Sequence, residues 1–268
     1  MNIKIKTKKF IKRWPIIYFL AKKLYFTFNY RGLKVRILGT VAQENEWASR
    51  HLHKCERERD DWGSEGDDWI RGYWSSKHHP HRQFLVEKIS EYKPSSILEI
   101  GCNCGPNLYL LGKRYPGAEI KGIDINPIAV CRGNEWLANE GISNVKLFEG
   151  KADELSQFKN ESFDLVFTDA ILIYIGPDKI QTVIKELLRI ARNGLVLLER
   201  NCFEPGKDPY GLGIMNDGLW ERNYVSLLKQ FVSIDQIRIS RMAQDIWPDP
   251  GWQRSGAIIE VLLKFQTT

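Results

Sequence analysis

The residues that could do chemistry begin with an acidic loop bounded by glycines. Glu99 closes a short apolar run and is followed by Gly101 and Gly105, before a helical pattern begins. Because glycine has no Cβ, a ligand can approach the backbone of such a loop closely. The Glu99 carboxylate would repel a pyrophosphate and attract an ammonium group. The loop therefore predicts a ligand with a positively charged, amino-acid-like end.

A second acid stands at the spacing that nucleotide-binding α/β folds use for the ribose. Asp124 follows Gly101 by 23 residues and ends another apolar run. In those folds a carboxylate about 20 residues beyond the loop binds the ribose hydroxyls. A dinucleotide site would need the order Gly-x-Gly-x-x-Gly, whereas Asn103 occupies the middle position here. The two acids together favour a nucleoside ligand other than a dinucleotide.

Alternating strands and helices must position these residues. Helical patterns separate the apolar runs, and the pattern from Lys179 to Ala191 has one broad apolar face. Such alternation predicts a doubly wound α/β fold, with a mostly parallel sheet covered on both faces. The predicted strands are 97–100, 119–124, 145–150, 163–167, 194–198, 231–239 and 257–263.

The pattern over residues 95–200 resembles the class I S-adenosylmethionine (SAM)-dependent methyltransferases. The resemblance implies a Rossmann-like, seven-stranded sheet with an antiparallel C-terminal edge hairpin, an N-terminal helical extension, and SAM as the cofactor. In the family, an acid matching Asp153 faces the adenine amino group, and a motif matching Thr168 and Asp169 lies beneath the transferable methyl. The segment before the first strand folds over the cofactor in many members, which makes Trp74 and Tyr73 the expected lid over the methionine part of SAM. The implied cofactor-binding residues are Glu99, Gly101, Cys102, Asn103, Gly105, Asp124, Ile125, Ala152, Asp153, Thr168, Asp169 and Trp74.

The catalytic candidates follow from the needs of methyl transfer to a hydroxyl. SAM carries an activated methyl, so the protein must align the acceptor and remove its proton with a nearby base. Asp169 is the first candidate base, with His79, His81 and Glu199 after it; alternatively, Asp169 only positions the cofactor or caps the next turn. Adjacent histidines at 78 and 79 cannot face one way on a strand or helix, so no metal site is predicted.

The acceptor is predicted to be a sugar or glycan. The layout resembles bacterial and archaeal methyltransferases that modify surface polysaccharides or glycolipids, and tryptophan-rich loops suit pyranose rings. The alternatives are an N-methyltransferase of an amino sugar or small amine, and a non-catalytic SAM-binding scaffold. The segment 168–171 lacks the Pro-Pro-aromatic form associated with base amino groups, which argues against a nucleic acid acceptor.

Positive charge is concentrated at the N-terminus. Eleven of the 39 Lys and Arg residues lie in residues 1–43, which contain no Asp or Glu. The longest apolar run there, 14–21, is far shorter than the ~20 residues that span a bilayer. Interleaved with aromatic residues, this segment predicts a basic amphipathic arm that lies on an anionic membrane surface. Packing on the catalytic domain or on a partner subunit is an equal alternative, and nucleic-acid binding is the third.

The sequence thus predicts three regions. They are a basic arm (1–43), a charged linker and cofactor lid (44–81), and a methyltransferase domain (82–268). Five scattered cysteines form no secreted-type disulfide framework, so reduced thiols and a cytoplasmic location are expected. The arm would attach the protein peripherally to the inner face of the membrane, where a small-molecule or lipid-linked glycan acceptor would be found.

Overall fold

A mixed seven-stranded sheet carries the glycine loop and both acids. The computed structural model describes residues 39–49, 69–216 and 218–263. Its strands are β1 (Ser96–Ile100), β2 (Glu119–Asp124), β3 (Val145–Glu149), β4 (Phe163–Asp169), β5 (Ala191–Arg200), β6 (Ile214–Asn216), β7 (Leu219–Glu221), β8 (Ile237–Arg241) and β9 (Gly256–Leu262). Strands β6 and β7 pair as a separate hairpin.

The order of the large sheet is β3-β2-β1-β4-β5-β9-β8. The first five strands are parallel, and β9 pairs antiparallel with both β5 and β8. This confirms the predicted Rossmann-like sheet with an antiparallel C-terminal edge. The order in which successive strands are added to the sheet reverses between β1 and β4, and this is the point where open α/β sheets bind ligands. All seven residues of β4 are buried, as expected of a strand covered on both faces.

Helices cover both faces of the sheet and flank its carboxyl edge. The helices are α1 (Thr40–Ala48), α2 (Trp69–Ser75), α3 (Pro80–Ser90), α4 (Pro106–Arg114), α5 (Pro127–Asn139), α6 (Ile180–Ile190), α7 (Tyr224–Leu228) and α8 (Pro250–Ser255). The buried face of α6 repeats at helical spacing, as the sequence predicts. Helix α5 begins where the Asn126 side chain accepts hydrogen bonds from two backbone N–H groups and Pro127 takes the first helical position.

Three details differ from the sequence predictions. The strand predicted over 231–239 begins only at Ile237, because Ser233 and Gln236 form a capping box that starts a short 3₁₀ turn. The predicted boundary between residues 43 and 44 falls inside α1, and the one between 81 and 82 falls inside α3.

The predicted basic arm lies outside the described residues, apart from its last five positions. No helix in the described ranges combines the length and the apolarity that crossing a membrane requires.

Candidate active site

A cleft of about 770 Å3, counting the part open to solvent, lies at the carboxyl ends of β1, β2 and β4. Of the predicted cofactor-binding residues, it is lined by Gly101, Asn103, Asp124, Ile125, Ala152, Asp153 and Asp169. Helix α1 contributes a further side, which includes Gln43 and Trp47. The parallel topology thus brings together residues that are up to 68 positions apart within the sheet domain.

The glycine loop is shaped by close backbone approach. Gly101 has a φ of 77°, and a Cβ there would lie 2.6 Å from Cδ1 of Ile171. The backbone N–H of Asn103 donates to Oδ2 of Asp124 at 2.7 Å, and the N–H of Asn126 donates to Oδ1 at 2.8 Å. Burial raises the pKa of Asp124 to about 6, although these two backbone hydrogen bonds oppose the rise. Asp124 therefore fixes the loop and still presents its carboxylate to the cleft.

Five predicted cofactor-binding residues do not line the cleft. These are Glu99, Cys102, Gly105, Thr168 and Trp74. Cys102 packs beneath the loop, where a Cβ on Gly122 would touch its sulfur. Thr168 donates to Glu199 inside the sheet. Trp74 packs between the rings of Tyr109 and Trp136, at centroid distances of 5.5 and 5.4 Å.

Tyr73 lines the cleft in place of Trp74. The two residues are neighbours on α2 and point about 100° apart around the helix axis. Only one of them can face the cleft, and the prediction of Trp74 as a lid residue is wrong for this reason.

Asp169 is the centre of a buried polar network. Its Oδ2 accepts hydrogen bonds from His81 Nε2 (3.1 Å), Arg82 Nη1 (3.1 Å) and Asn107 Nδ2 (2.9 Å). Burial would raise the pKa of Asp169, but His81, Arg82 and Asn107 hold it well below its ordinary value. Its Oδ1 is buried without a hydrogen-bond partner among the described residues. The carboxylate is therefore ionised and held in place, and Oδ1 is left without a hydrogen bond in a residue that lines the cleft.

Arg82 and Asn107, which the sequence did not single out, complete this network. Arg82 is 1% exposed, and besides Asp169 it donates to Oδ1 of Asn107 and to the Ser76 side chain. Asn107 donates in turn to Oε1 of Glu99 at 2.7 Å. The other Glu99 oxygen, Oε2, is buried without a partner among the described residues. One cation and two amide hydrogens thus stand between two buried acids.

Two of the predicted histidines connect Asp169 to the surface. His81 is fully buried, and its ring stacks on Trp247 at 4.0 Å. Burial lowers the pKa of His81 to about 4, although Asp169 opposes this, so the ring is neutral at neutral pH. His81 donates through Nε2 to Asp169, its Nδ1 lies 2.5 Å from Nδ1 of His79, and that His79 nitrogen also accepts from the backbone N–H of His81. His79 is partly exposed, whereas His78 lies on the surface.

Glu199 was predicted as a catalytic candidate, but it does not line the cleft. It is fully buried at the end of β5. Its Oε1 accepts hydrogen bonds from the Thr168 hydroxyl and from the backbone N–H groups of Ile171 and Leu172. Glu199 therefore positions the segment after β4 rather than reaching the cleft.

The buried acids make stability depend on pH. Burial raises the pKa of Glu99 to about 8 and that of Glu199 to about 7. The folded protein therefore binds these two protons more tightly than the unfolded chain, and this stabilisation is lost as pH rises through the folded-state values. Between pH 6.5 and 8, the titrations of Asp124 in the folded protein and of His81 in the unfolded chain largely offset each other, and we expect the free energy of unfolding to fall by about 2 kcal/mol.

Urea unfolding at intervals across this range measures the effect. The double variant Glu99→Gln and Glu199→Gln should flatten the dependence, because neither amide titrates. Stability that rises between pH 6.5 and 8 in the unmodified protein would contradict the prediction.

Comparison with known proteins assigns the domain. Residues 97–194 match a protein family described as "Methyltransferase domain". The probable chloroplastic tocopherol O-methyltransferase of Oryza sativa subsp. japonica is 37% identical over 110 residues, which are 41% of this chain and 29% of that protein. Catechol O-methyltransferase B of Danio rerio is 32% identical over 133 residues, or 47% of this chain and 49% of that protein. The chain spans less than half the length of these two curated relatives.

The fold is also found among solved structures. Magnesium protoporphyrin IX methyltransferase from Synechocystis PCC 6803 with bound SAM aligns with a TM-score of 0.55 at 15% identity, over 84% of this chain and 97% of that one. At this identity the likeness concerns the fold alone. The sequence match thus assigns residues 97–194 to a methyltransferase domain, and the solved structure shows that the chain has the fold of a SAM-binding methyltransferase.

Proposed function

We propose that this protein transfers the methyl group of SAM to a hydroxyl oxygen of its acceptor. The observation that carries the proposal is the hydrogen bonding of the two carboxylate oxygens of Asp169. One of its carboxylate oxygens is fixed by three hydrogen-bond donors, and the other has no partner among the described residues. A rigid, ionised carboxylate of this kind can orient a hydroxyl group and take up its proton.

The cleft residues fit SAM at three points. Gly101 lines the cleft with backbone atoms alone, so the cofactor can lie against the loop. Asp124 would accept hydrogen bonds from the ribose hydroxyls. The third point lies beside the cleft, where Oε2 of Glu99 is buried without a partner among the described residues; once ionised, this carboxylate would attract the α-ammonium group. When bound, SAM supplies a methyl group activated by a positively charged sulfur.

The protein's own residues would then manage the acceptor and its proton. Oδ1 of Asp169 accepts the hydroxyl hydrogen bond, while Arg82 and Asn107 prevent the carboxylate from turning. His81 donates to the other oxygen and keeps it in place, and the proton taken up by Asp169 would pass to solvent once the product has left the cleft. Tyr73, Trp47 and Tyr174 wall the cleft with aromatic surface and limit the entry of water.

A sugar hydroxyl is the acceptor that we favour. Aromatic faces such as those of Trp47 and Tyr174 suit the apolar faces of pyranose rings, and both residues line the cleft. Two matched relatives bear the names of a catechol and a tocopherol O-methyltransferase, so phenols form the natural comparison set.

Transfer of labelled methyl from SAM tests the proposal. The acceptors should include nucleotide sugars, lipid-linked glycans, catechol, amino sugars and RNA, with the label located in the product by mass spectrometry. O-methylation of a sugar supports the proposal in full, and O-methylation of catechol alone keeps the reaction but changes the acceptor. Methylation of an amine, or SAM binding without any transfer, would overturn it.

We expect Asp124→Ala to weaken SAM binding by about 1–3 kcal/mol, because hydrogen bonds from the ribose to a charged acceptor are lost. Isothermal titration measures the change, and circular dichroism checks that the loop held by Asp124 remains folded. Glu119→Gln, at the exposed end of the same strand, is the matched control and should leave affinity unchanged. Binding of NAD in preference to SAM by the unmodified protein would contradict the assignment of Asp124.

A further inference from the structure

Helix α1 covers the cleft with one of its faces. Thr40, Gln43, Glu44 and Trp47 all line the cleft, and their spacing places them on one side of the helix. This face is polar at three of its four positions, although it is turned toward the interior. An ordinary amphipathic helix turns its apolar face inward. A polar face turned inward indicates that it binds a polar group in the cleft.

The helix is fastened at both ends and in the middle. The Thr40 hydroxyl donates to Asp178 at 2.7 Å and accepts from the N–H of Gly176. The carbonyl of Trp47 accepts from Nδ2 of Asn126 at 3.0 Å. Between these points Glu44 pairs with Lys179, which also pairs with Asp153 at 2.8 Å. Gln43 is therefore held in a defined position over the cleft.

Gln43 has a buried amide that no described residue satisfies. The residue is 1% exposed, and neither Nε2 nor Oε1 has a hydrogen-bond partner among the described residues. Buried polar groups nearly always have hydrogen-bond partners, so a buried amide whose nitrogen and oxygen both lack one needs an explanation. An amide side chain offers a donor and an acceptor side by side. The complementary group is one that presents an acceptor next to a donor, as the edge of adenine does with a ring nitrogen and its 6-amino group.

The order of the other groups along the cleft places a purine at this end. Asp124 at the end of β2 would bind the ribose, and Glu99, the acid suited to the ammonium group, lies on β1. The base therefore extends in the opposite direction, toward residues 150–153 after β3. Glu44, next to Gln43, reaches this same region through Lys179 and through Lys151.

We propose that Gln43 binds the adenine edge of the cofactor with both atoms of its amide. The proposal rests on the proposed function, because it takes SAM to be the ligand. It makes α1 part of the cofactor site, so the helix that covers the adenine also recognises it. It also assigns a binding role to a residue outside the sheet, about 60 positions before the glycine loop.

Calorimetric titration with S-adenosylhomocysteine, the product form of the cofactor, tests this directly. Gln43→Met keeps the length of the side chain and removes both polar atoms, and we expect it to weaken binding by about tenfold, as for two lost hydrogen bonds. An analogue with hydrogen in place of the 6-amino group should lose much less affinity on the same substitution, about threefold. Asn45→Met, on the exposed side of α1, is the matched control and should bind as the unmodified protein does.

Unfolding measurements without ligand separate binding from a structural role. Because the amide makes no bond in the described protein, Gln43→Met should leave the urea midpoint unchanged or raise it. A lowered midpoint, or equal losses of affinity for both ligands, would overturn the proposal. Unaltered affinity of Gln43→Met would also overturn it and leave the proposed function intact. Failure of the unmodified protein to bind the product at all would overturn both.

Discussion

Replacing Arg82 with methionine is expected to lower the free energy of unfolding by about 3–5 kcal/mol, since it breaks a buried ion pair by removing one partner. The guanidinium joins three parts of the chain, because it bonds Ser76 before α3, Asn107 on α4 and Asp169 at the end of β4. Its removal leaves the Asp169 carboxylate among apolar neighbours with two neutral donors. Methionine fills much of the same volume, so the loss reports mainly the uncompensated charge.

Urea unfolding at neutral pH measures this loss against a control on the same helix. Lys88→Met removes a partly exposed partner of Glu91 and should cost less than about 1 kcal/mol. Adding Asp169→Asn to Arg82→Met should recover part of the stability, because the unpaired charge is then absent. A double variant as unstable as the sum of the two single variants would show that the ion pair carries no coupling energy.

Asp169→Asn should reduce kcat by about 10²–10⁴, the contribution typical of a positioned general base. The amide preserves the shape of the side chain but cannot take up a proton. SAM affinity should change little, so kcat and kcat/KM fall together. The measurement is the initial rate of labelled methyl transfer to the best acceptor, with the dissociation constant for SAM determined separately.

The opposite end of the same strand supplies the control. Asp164 is the second residue of β4 and accepts hydrogen bonds from the N–H groups of Ser95 and Ser96, far from the cleft. Asp164→Asn should lower stability and leave kcat unchanged. Unaltered turnover in Asp169→Asn would remove the base role from this residue; His81→Phe would then test the histidine, and an amine acceptor would need no base.

The sequence was sufficient to predict the features that depend on the pattern of residues close together in the chain. The five parallel strands, the shape of the loop at Gly101 and the placement of Asp124 and Asp169 at the cleft all follow from runs of residues close together in the chain. These features reflect periodicity and glycine geometry, which act over a few residues. The seven-stranded sheet is therefore confirmed in outline, and errors are confined to ends such as that of β8.

The sequence could not identify the partners that meet only in the folded sheet. Arg82 and Asn107 carry no motif of their own, and their importance arises from burial beside Asp169. The choice between Tyr73 and Trp74 depends on the rotation of α2, which a seven-residue helix does not reveal by periodicity. Glu199 lies on the strand next to that of Asp169. Only the pairing of β4 with β5 shows that its carboxylate accepts hydrogen bonds from backbone N–H groups and does not face the cleft.

We expect the bonds that hold α1 to control how fast a ligand leaves the cleft. If a ligand beneath this helix departs when the bonds of Thr40 and Glu44 open, the motion should take microseconds to milliseconds, as it does in other lids. The ion pairs of Glu44 are partly exposed, so dissolved salt weakens them, whereas the Thr40 hydroxyl bonds carry little such dependence. We therefore expect the residence time of spent cofactor to shorten as ionic strength rises. The release of spent cofactor would then limit turnover at low salt, and methyl transfer would limit it at high salt.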